Sequence, residues 1–447
     1  MKNFGILLVC LLVVSGAGAQ GKDSTYSFTL KQAVDYAMNN QASVQNAIVD
    51  EQIALARKRE ITGIGLPQIS ASGDVKDFIQ LPTTLIPGEF FGGRPGTFIG
   101  LKFGTNYNAT GEVDISQLVF DGTFIVALQA SKSFLEITQK ATTRTRIEAA
   151  SAVTKAYYTV LITEDRLKLI EANLARLDKL QKDTKALFDN GFVEKIDIDR
   201  IHVAYNNVMT ERDNTLRFAT ISNNLLKFQL GMDQKAKLML TDNLSDISFT
   251  ADALTNDKFD PSRRIEYSIL QSQQKLNMLD LRRNRMSYLP SLGVYGTLQE
   301  VAMRQQLDLF DGSKSWYPTE LVGVHLTVPI FDGGQKHFRV EQSRLNILKT
   351  QNQMKSVQQG LDLEFSSSRS TLLNAMNTLE VQKKNMDLAG DIYQVTKKKY
   401  EQGVGSNLEV LTAETALKEA QTNYYGALYD ALNAKVDFEK ANGSLMK

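Results

Sequence analysis

Side chains that could carry chemistry are few in this chain and fall into no catalytic pattern. His202, His325 and His337 stand far apart, and neither a paired-histidine helix motif, a nucleophile elbow nor a dinucleotide fingerprint occurs. The glycine cluster Gly88 to Gly96 lacks both a Gly-Lys-Ser/Thr ending and a following helix, so it is not a phosphate loop. These features predict no enzyme, no cofactor and no metal. Two places have a recurring arrangement instead. Gly191, within Asn190-Gly191-Phe192, is followed by Asp197, and Gly403, within Gln402-Gly403-Val404, is followed by Glu409. A reversing chain needs a residue that tolerates positive φ, and an acid just after the turn complements the positive end of the next helix. Asp197 and Glu409 lie 212 residues apart. Gathered from several copies into a narrow mouth, such carboxylates repel one another and attract cations.

That offset belongs to a duplication. Leu118-Val119-Phe120-Asp121-Gly122 returns as Pro329-Ile330-Phe331-Asp332-Gly333, with Phe120 and Phe331 211 residues apart, and Leu66-Pro67 returns as Leu289-Pro290. A period this long is too large for a solenoid. The repeats are therefore read as 20–260 and 261–447, each with a helix, a β-hairpin (66–119; 289–330) and a long helical hairpin (121–231; 332–441). The first also carries an intervening irregular belt at 232–260.

Residues 1–19 read as a secretory signal peptide: Lys2, an apolar run from Ile6 to Val14, then Ala17-Gly18-Ala19. The run is too short to span a bilayer and contains the only cysteine, Cys10, so disulfides and thiolate metal sites play no part in the mature chain. Lys and Arg number 51 against 50 Asp and Glu; removing Lys2 leaves a neutral protein, which speaks against nucleic-acid binding.

All eight prolines fall outside 96–260 and 330–447. Such stretches permit very long helices. Leu417, Ala420, Tyr424, Ala427, Ala431, Ala434 and Phe438 alternate spacings of three and four, a coiled-coil-like seam. Long helices are predicted at 122–188 and 333–402, and shorter ones at 29–63, 194–230, 262–288 and 407–441. Two short helices end to end can line one long helix, an elongated arrangement rather than a globule. Four segments instead alternate strictly. In 106–116 the odd positions are Tyr107, Ala109, Gly111, Val113 and Ile115, and the even ones are polar. Ile69 to Val75, Leu292 to Leu298 and Val322 to Val328 behave similarly. Together with the leader, this pattern points to strands with lipid on one side and water on the other. Four strands cannot close a barrel, and open edges in hydrocarbon cost several kcal/mol per unpaired group, so membrane strands here require oligomerisation.

In its order, duplication and spacing, this set of motifs resembles the TolC-type outer-membrane efflux channels. The carriers are the repeated strand-strand-helix-helix plan, Leu-Pro before each hairpin, the Phe-Asp-Gly exits, and the tips with Ile196-Asp197-Ile198 and Leu408-Glu409-Val410-Leu411. The resemblance implies a mainly α fold with a small β part. Long coiled-coil-like helices would form a trimeric α-helical tunnel under a trimeric twelve-stranded outer-membrane β-barrel. It implies a homotrimer in outer-membrane lipid with a long periplasmic extension. Its partners would be a periplasmic adaptor (membrane fusion protein) and an inner-membrane transporter, as in tripartite efflux or type I secretion. Tyr400 then matches the family's gate tyrosine and Asp197 its hydrogen-bonding partner on the neighbouring hairpin. Gly405 stands where the family has a gate arginine, and Glu409 and Thr412 stand for its pair of lumen aspartates. A periplasmic coiled-coil adaptor or a structural stalk is the alternative reading.

Overall fold

The computed structural model describes residues 25–244, 259–309 and 311–446. The expected leader, with Cys10, and residues 245–258 of the belt lie outside the described residues. The first half runs β1 (Thr25–Phe28), α1 (Leu30–Asn40), α2 (Ala42–Gly63), β2 (Gln68–Asp77), β3 (Thr83–Pro87), β4 (Phe98–Lys102), β5 (Tyr107–Phe120), α3 (Gly122–Asp189), α4 (Lys195–Leu230) and β6 (Lys237–Leu240). The second runs α5 (Ile265–Met286), β7 (Ser291–Arg304), β8 (Tyr317–Thr327), α6 (Gln335–Glu401) and α7 (Asn407–Asn442). The long helices have 68 and 67 residues and each is followed by one of 36. At about 1.5 Å per residue α3 is roughly 100 Å long.

Two expectations need correction. The helix expected over 29–63 is broken at Gln41, whose extended backbone both ends α1 and opens α2. Asn39 and Asn40 favour the break, because their side-chain amides donate to the carbonyls of Asp35 and Tyr36. The belt is not wholly irregular: β6 pairs in parallel with β1, Thr25 against Lys237 and Phe28 against Leu240. Four-residue strands are too short to leave an alternation in the sequence. The loop between the first pair of strands also holds a hairpin of its own, β3 against β4.

The main sheet has the order β2-β5-β7-β8, every pair antiparallel, so the two halves meet at β5 and β7. Its register sorts the faces as the alternation requires. Ile69 lies opposite Ile115, Ile115 opposite Gly296, and Gly296 opposite Val322, while Val113 pairs with Leu298. On the reverse face Thr297 donates to Asp114 (2.6 Å) and Gln299 to Glu112 (3.0 Å). The apolar face is open: Val322 is 88% exposed and Ile69 70%. Among the described residues, the outer edges of β2 and β8 have no partner strand in the sheet.

The largest core lies midway along α3, where Val153, Tyr157, Val160 and Leu161 meet Ala33 and Ala37 of α1, Leu226 and Leu230 of α4, and Leu432 and Val436 of α7. The Tyr157 hydroxyl donates to the Phe28 carbonyl (3.0 Å) and to Asp242 Oδ2 (2.9 Å), which also accepts from the Leu30 backbone N–H (2.7 Å). Gly231 closes α4 with φ 71°, and a Cβ there would lie 2.4 Å from the Asn40 carbonyl oxygen. Gly403 has a similar φ of 75° but open space around it. An alanine at either site meets left-handed backbone strain of about 1–2 kcal/mol. Only at Gly231 does it also collide with a backbone atom. Gly231→Ala is therefore expected to lower the melting temperature clearly more than Gly403→Ala, and equal shifts in thermal denaturation would contradict this packing.

Candidate functional site at the helical hairpin tips

Both long helices end in the same turn. At the first, Asn190 is the terminal residue and Gly191 takes φ 79°; the Gly191 N–H donates to the Phe188 carbonyl (2.8 Å) and that of Phe192 to Leu187 (2.9 Å). At the second, Gln402 and Gly403 repeat this, with Gly403 N–H on Tyr400 (2.9 Å) and Val404 N–H on Lys399 (3.0 Å). This is the paired 5→2 and 6→1 bonding of a Schellman motif, which glycine permits at the left-handed position. It leaves Phe192 and Val404 projecting into solvent, 77% and 78% exposed. Asp197 and Glu409 each occupy the third position of the following helix.

The three residues expected at a gate do not bond to one another. Tyr400 packs into a cluster drawn from all four tip helices: Leu180, Ile201, Tyr393, Val410, Ala413 and Leu417. Its hydroxyl lies 3.3 Å from Oγ1 of the buried Thr184, not on Asp197. Asp197 lies 3.5 Å from Arg200, one turn along α4. Within one chain, then, the Tyr400–Asp197 bond is not made, because Tyr400 is turned inward onto α3. Instead Asn407, buried at the start of α7, donates its side-chain amide to the Asp197 carbonyl (3.1 Å) and ties the two hairpins together. Nothing in the sequence distinguished Asn407 from an ordinary helix-start residue. Glu409 is exposed, and its N–H is capped by Ser406 Oγ (3.3 Å). At Gly405 a Cβ would lie 3.2 Å from both Lys399 Cβ and the Tyr400 nitrogen.

Farther from the turns, polar residues cross the bundle. Glu211 of α4 accepts from Arg166 of α3 (3.0 Å) and Lys418 of α7 (2.7 Å). Burial alone would raise the Glu211 carboxyl, but these two cations hold it below the usual range. Asn173 of α3 donates to Gln421 of α7 (3.0 Å), both buried. Arg176 of α3 reaches Glu414 of α7 (3.3 Å), hydrogen-bonds Asn173, and stands 5.5 Å from the centre of the Tyr393 ring of α6. A groove of about 880 Å³ between the ends of α3 and α6 includes Arg176, Tyr393 and Tyr400 in its wall; another, of about 500 Å³ between α4 and α7, includes Arg200, Leu411 and Glu414.

The strand-to-helix turns hold the other ends of the long helices. After Phe120, Asp121 accepts from the N–H groups of Thr123 (2.6 Å) and Phe124 (3.1 Å), and Gly122 lets α3 approach Met286 at the end of α5. After Phe331, Asp332 accepts from Gly334 (3.2 Å) and Lys336 (3.1 Å). There Gly333 and Gly334 both take positive φ, so α6 begins at Gln335, two residues beyond the expected start.

A long helical hairpin in each half, hung from one two-faced sheet, is an arrangement with known relatives. The model of the family described as outer membrane efflux protein matches residues 279–444. The outer membrane protein TolC of Vibrio cholerae is 21% identical over 308 residues, covering 66% of this chain and 67% of TolC. Over residues 279–444 the chain is thus similar to the outer membrane efflux protein family. The alkaline protease secretion protein AprF of Pseudomonas aeruginosa is 28% identical over 166 residues, a match spanning 35% of this chain and 31% of AprF. Among solved structures, VceC of Vibrio cholerae superposes with a TM-score of 0.70 at 15% identity, covering 93% of this chain and 96% of its own. The open state of MtrE of Neisseria gonorrhoeae gives 0.72 at 14% identity, covering 94% and 89%. The efflux-family fold thus spans both repeats, although the family model matches only within the second.

Asn407→Ala removes the buried amide that links α7 to the Asp197 carbonyl, a loss of about 1 kcal/mol. Amide exchange over residues 195–200 is expected to quicken severalfold, and unchanged exchange would mean that the two tips are not tied through Asn407.

Proposed function

We propose that this protein is the outer-membrane channel-tunnel of a tripartite efflux or type I secretion system. The observation that carries this reading is the four-stranded sheet with one apolar face and two unpaired edges, from which helices of 68 and 67 residues descend. In hydrocarbon those edges need partners, and three copies contribute twelve strands, enough for a closed barrel. The apolar face, with Val113 and Val324, meets lipid, and Thr110 and its neighbours meet the lumen. The helices favour the same assembly: Phe218, Ile221, Leu225 and Phe228 of α4 form an exposed three-four-three seam, with each residue about half exposed or more. Such a seam suits a neighbouring copy.

The tunnel runs through the periplasm, and the Asn190-Gly191-Phe192 and Gln402-Gly403-Val404 tips are its free ends, where a periplasmic adaptor linked to an inner-membrane transporter docks. Tyr400, Asp197 and Glu409 belong to the closing end, with Tyr400 reaching Asp197 of a neighbouring hairpin only if it turns away from Thr184. The cargo is drugs, small molecules or proteins; relatives named for alkaline protease secretion and for toluene efflux bracket that range. A periplasmic adaptor or a stalk would have no use for an apolar, edge-open sheet.

Mass measurement of the detergent-solubilised protein is expected to give a trimer, and a stable folded monomer would refute the barrel. Arg at Val113 or Val324 is expected to cost about 2–4 kcal/mol near the bilayer midplane, whereas Thr110→Arg is tolerated. Trimer yield reads this difference, and equal yields would take the strands out of lipid. In planar bilayers, Asp197→Asn with Glu409→Gln is expected to weaken cation preference; unaltered selectivity would remove these acids from the pore mouth.

A further inference from the structure

Near the tips, α7 is held to α3 by a buried ion pair that is only half satisfied. Arg176 Nη2 lies 3.3 Å from Glu414 Oε1. Glu414 is 5% exposed, yet among the described residues its second oxygen, Oε2, has no hydrogen-bond partner, and neither has Arg176 Nε. A buried pair with unfilled hydrogen-bonding positions recovers little of its desolvation cost, while removing one member strands an uncompensated charge. The pair also stands between two open spaces: Glu414 lines the groove on the α4 side and Arg176 the groove on the α6 side. Water therefore lies within reach on both sides. Val410 and Ala413, on either flank of the first turns of α7, share one cluster with Leu180 and Tyr400, so a shift of α7 at Glu414 moves the tip packing with it.

We propose that the Arg176–Glu414 pair is an intrachain latch of the tips, holding α7 on α3 while the Glu414 carboxyl stays out of water, and that hydration of this carboxyl is the event that frees α7. The consequence for transport rests on the tips being the closing end of the tunnel; the latch itself is a statement about helix packing. The charged and titratable groups facing Glu414 are Arg176 from α3, Asp199 and Arg200 from α4, Tyr393 and Lys397 from α6, and Lys418 on α7 itself. Burial raises the Glu414 carboxyl above the usual range, although Arg176 and Lys397 pull it down. The latched form thus holds its proton more tightly than a freed, hydrated α7 would. Latching is favoured in acid, and that advantage is lost as the pH rises through the raised value.

Amide exchange over residues 407–421 of the full-length assembled protein, corrected for intrinsic rates, tests this at pH 5 and pH 8. Wild type is expected to exchange faster at pH 8. Arg176→Met is expected to raise exchange at pH 8 by about tenfold or more and to lie closer to wild type at pH 5. Glu414→Gln is expected to lose the pH dependence and to exchange equally at both pH values. The latch is overturned if Arg176→Met matches wild type at pH 8, or if its increase is the same at both pH values. It is equally overturned if Glu414→Gln keeps the wild-type pH dependence, a readout that stands even if Arg176→Met fails to assemble. Conductance separates the two proposals: a conducting pore without these exchange changes refutes the latch alone, and the expected exchange in a protein that forms no pore refutes the channel alone.

Discussion

A helix of 68 residues has an apolar face longer than any one of its neighbours here, and the rest of the chain is arranged around covering it. Towards the sheet, α3 is lined by α2 and α5: Thr142 donates to the Ala47 carbonyl (3.1 Å), and Lys140 donates to Ser272 of α5 (2.7 Å). Towards the tips, α4 and α7 take over through Glu211, Lys418 and Glu414. The handover falls at the Val153 to Leu161 core, where α1, β1 and β6 fill the space between the successive partners. Tyr157 pins this junction. Burial pushes its phenol far above the ordinary value, and the neighbouring Asp242 adds to the shift, so the hydroxyl remains a donor to Phe28 and Asp242.

Features with a long period were legible in the sequence. The proline-free stretches and three-four spacings located α3, α4, α6 and α7 to within about two residues, apart from the double-glycine delay before Gln335. Strict alternation located the four strands and their faces, since a strand with two distinct faces leaves its signature in every second residue. What escaped was short or long-range. The β1–β6 pair spans four residues per strand and joins segments more than 200 positions apart. The break at Gln41 depends on local side-chain bonds and on the close approach of Gly231 to Asn40.

At the tips the same division holds. Gly191 and Gly403 announce the turns because positive φ restricts the residue type, and the turns prove to be the same motif built twice. Asn407, Arg176 and Glu414 carry no such mark. A charged residue beside an apolar seam reads as a solvated flank, and only the crossing of α3, α6 and α7 buries it. Tyr400 stands out by its position three residues before Gly403, yet its inward contact with Thr184 depends on the packing of Tyr393 and Val410, which no linear pattern encodes.

Gly405 limits how this channel could diversify. A Cβ there would lie 3.2 Å from Lys399 Cβ and from the Tyr400 nitrogen, so a larger residue displaces these neighbours by a few tenths of an ångström. A positive charge introduced at position 405 therefore comes with a small shift of Tyr400 or Lys399. New polar ties at this tip are more accessible at the solvent-facing positions of α7, such as Glu409 and Thr412. Variation of this tip is thereby channelled onto one helix surface.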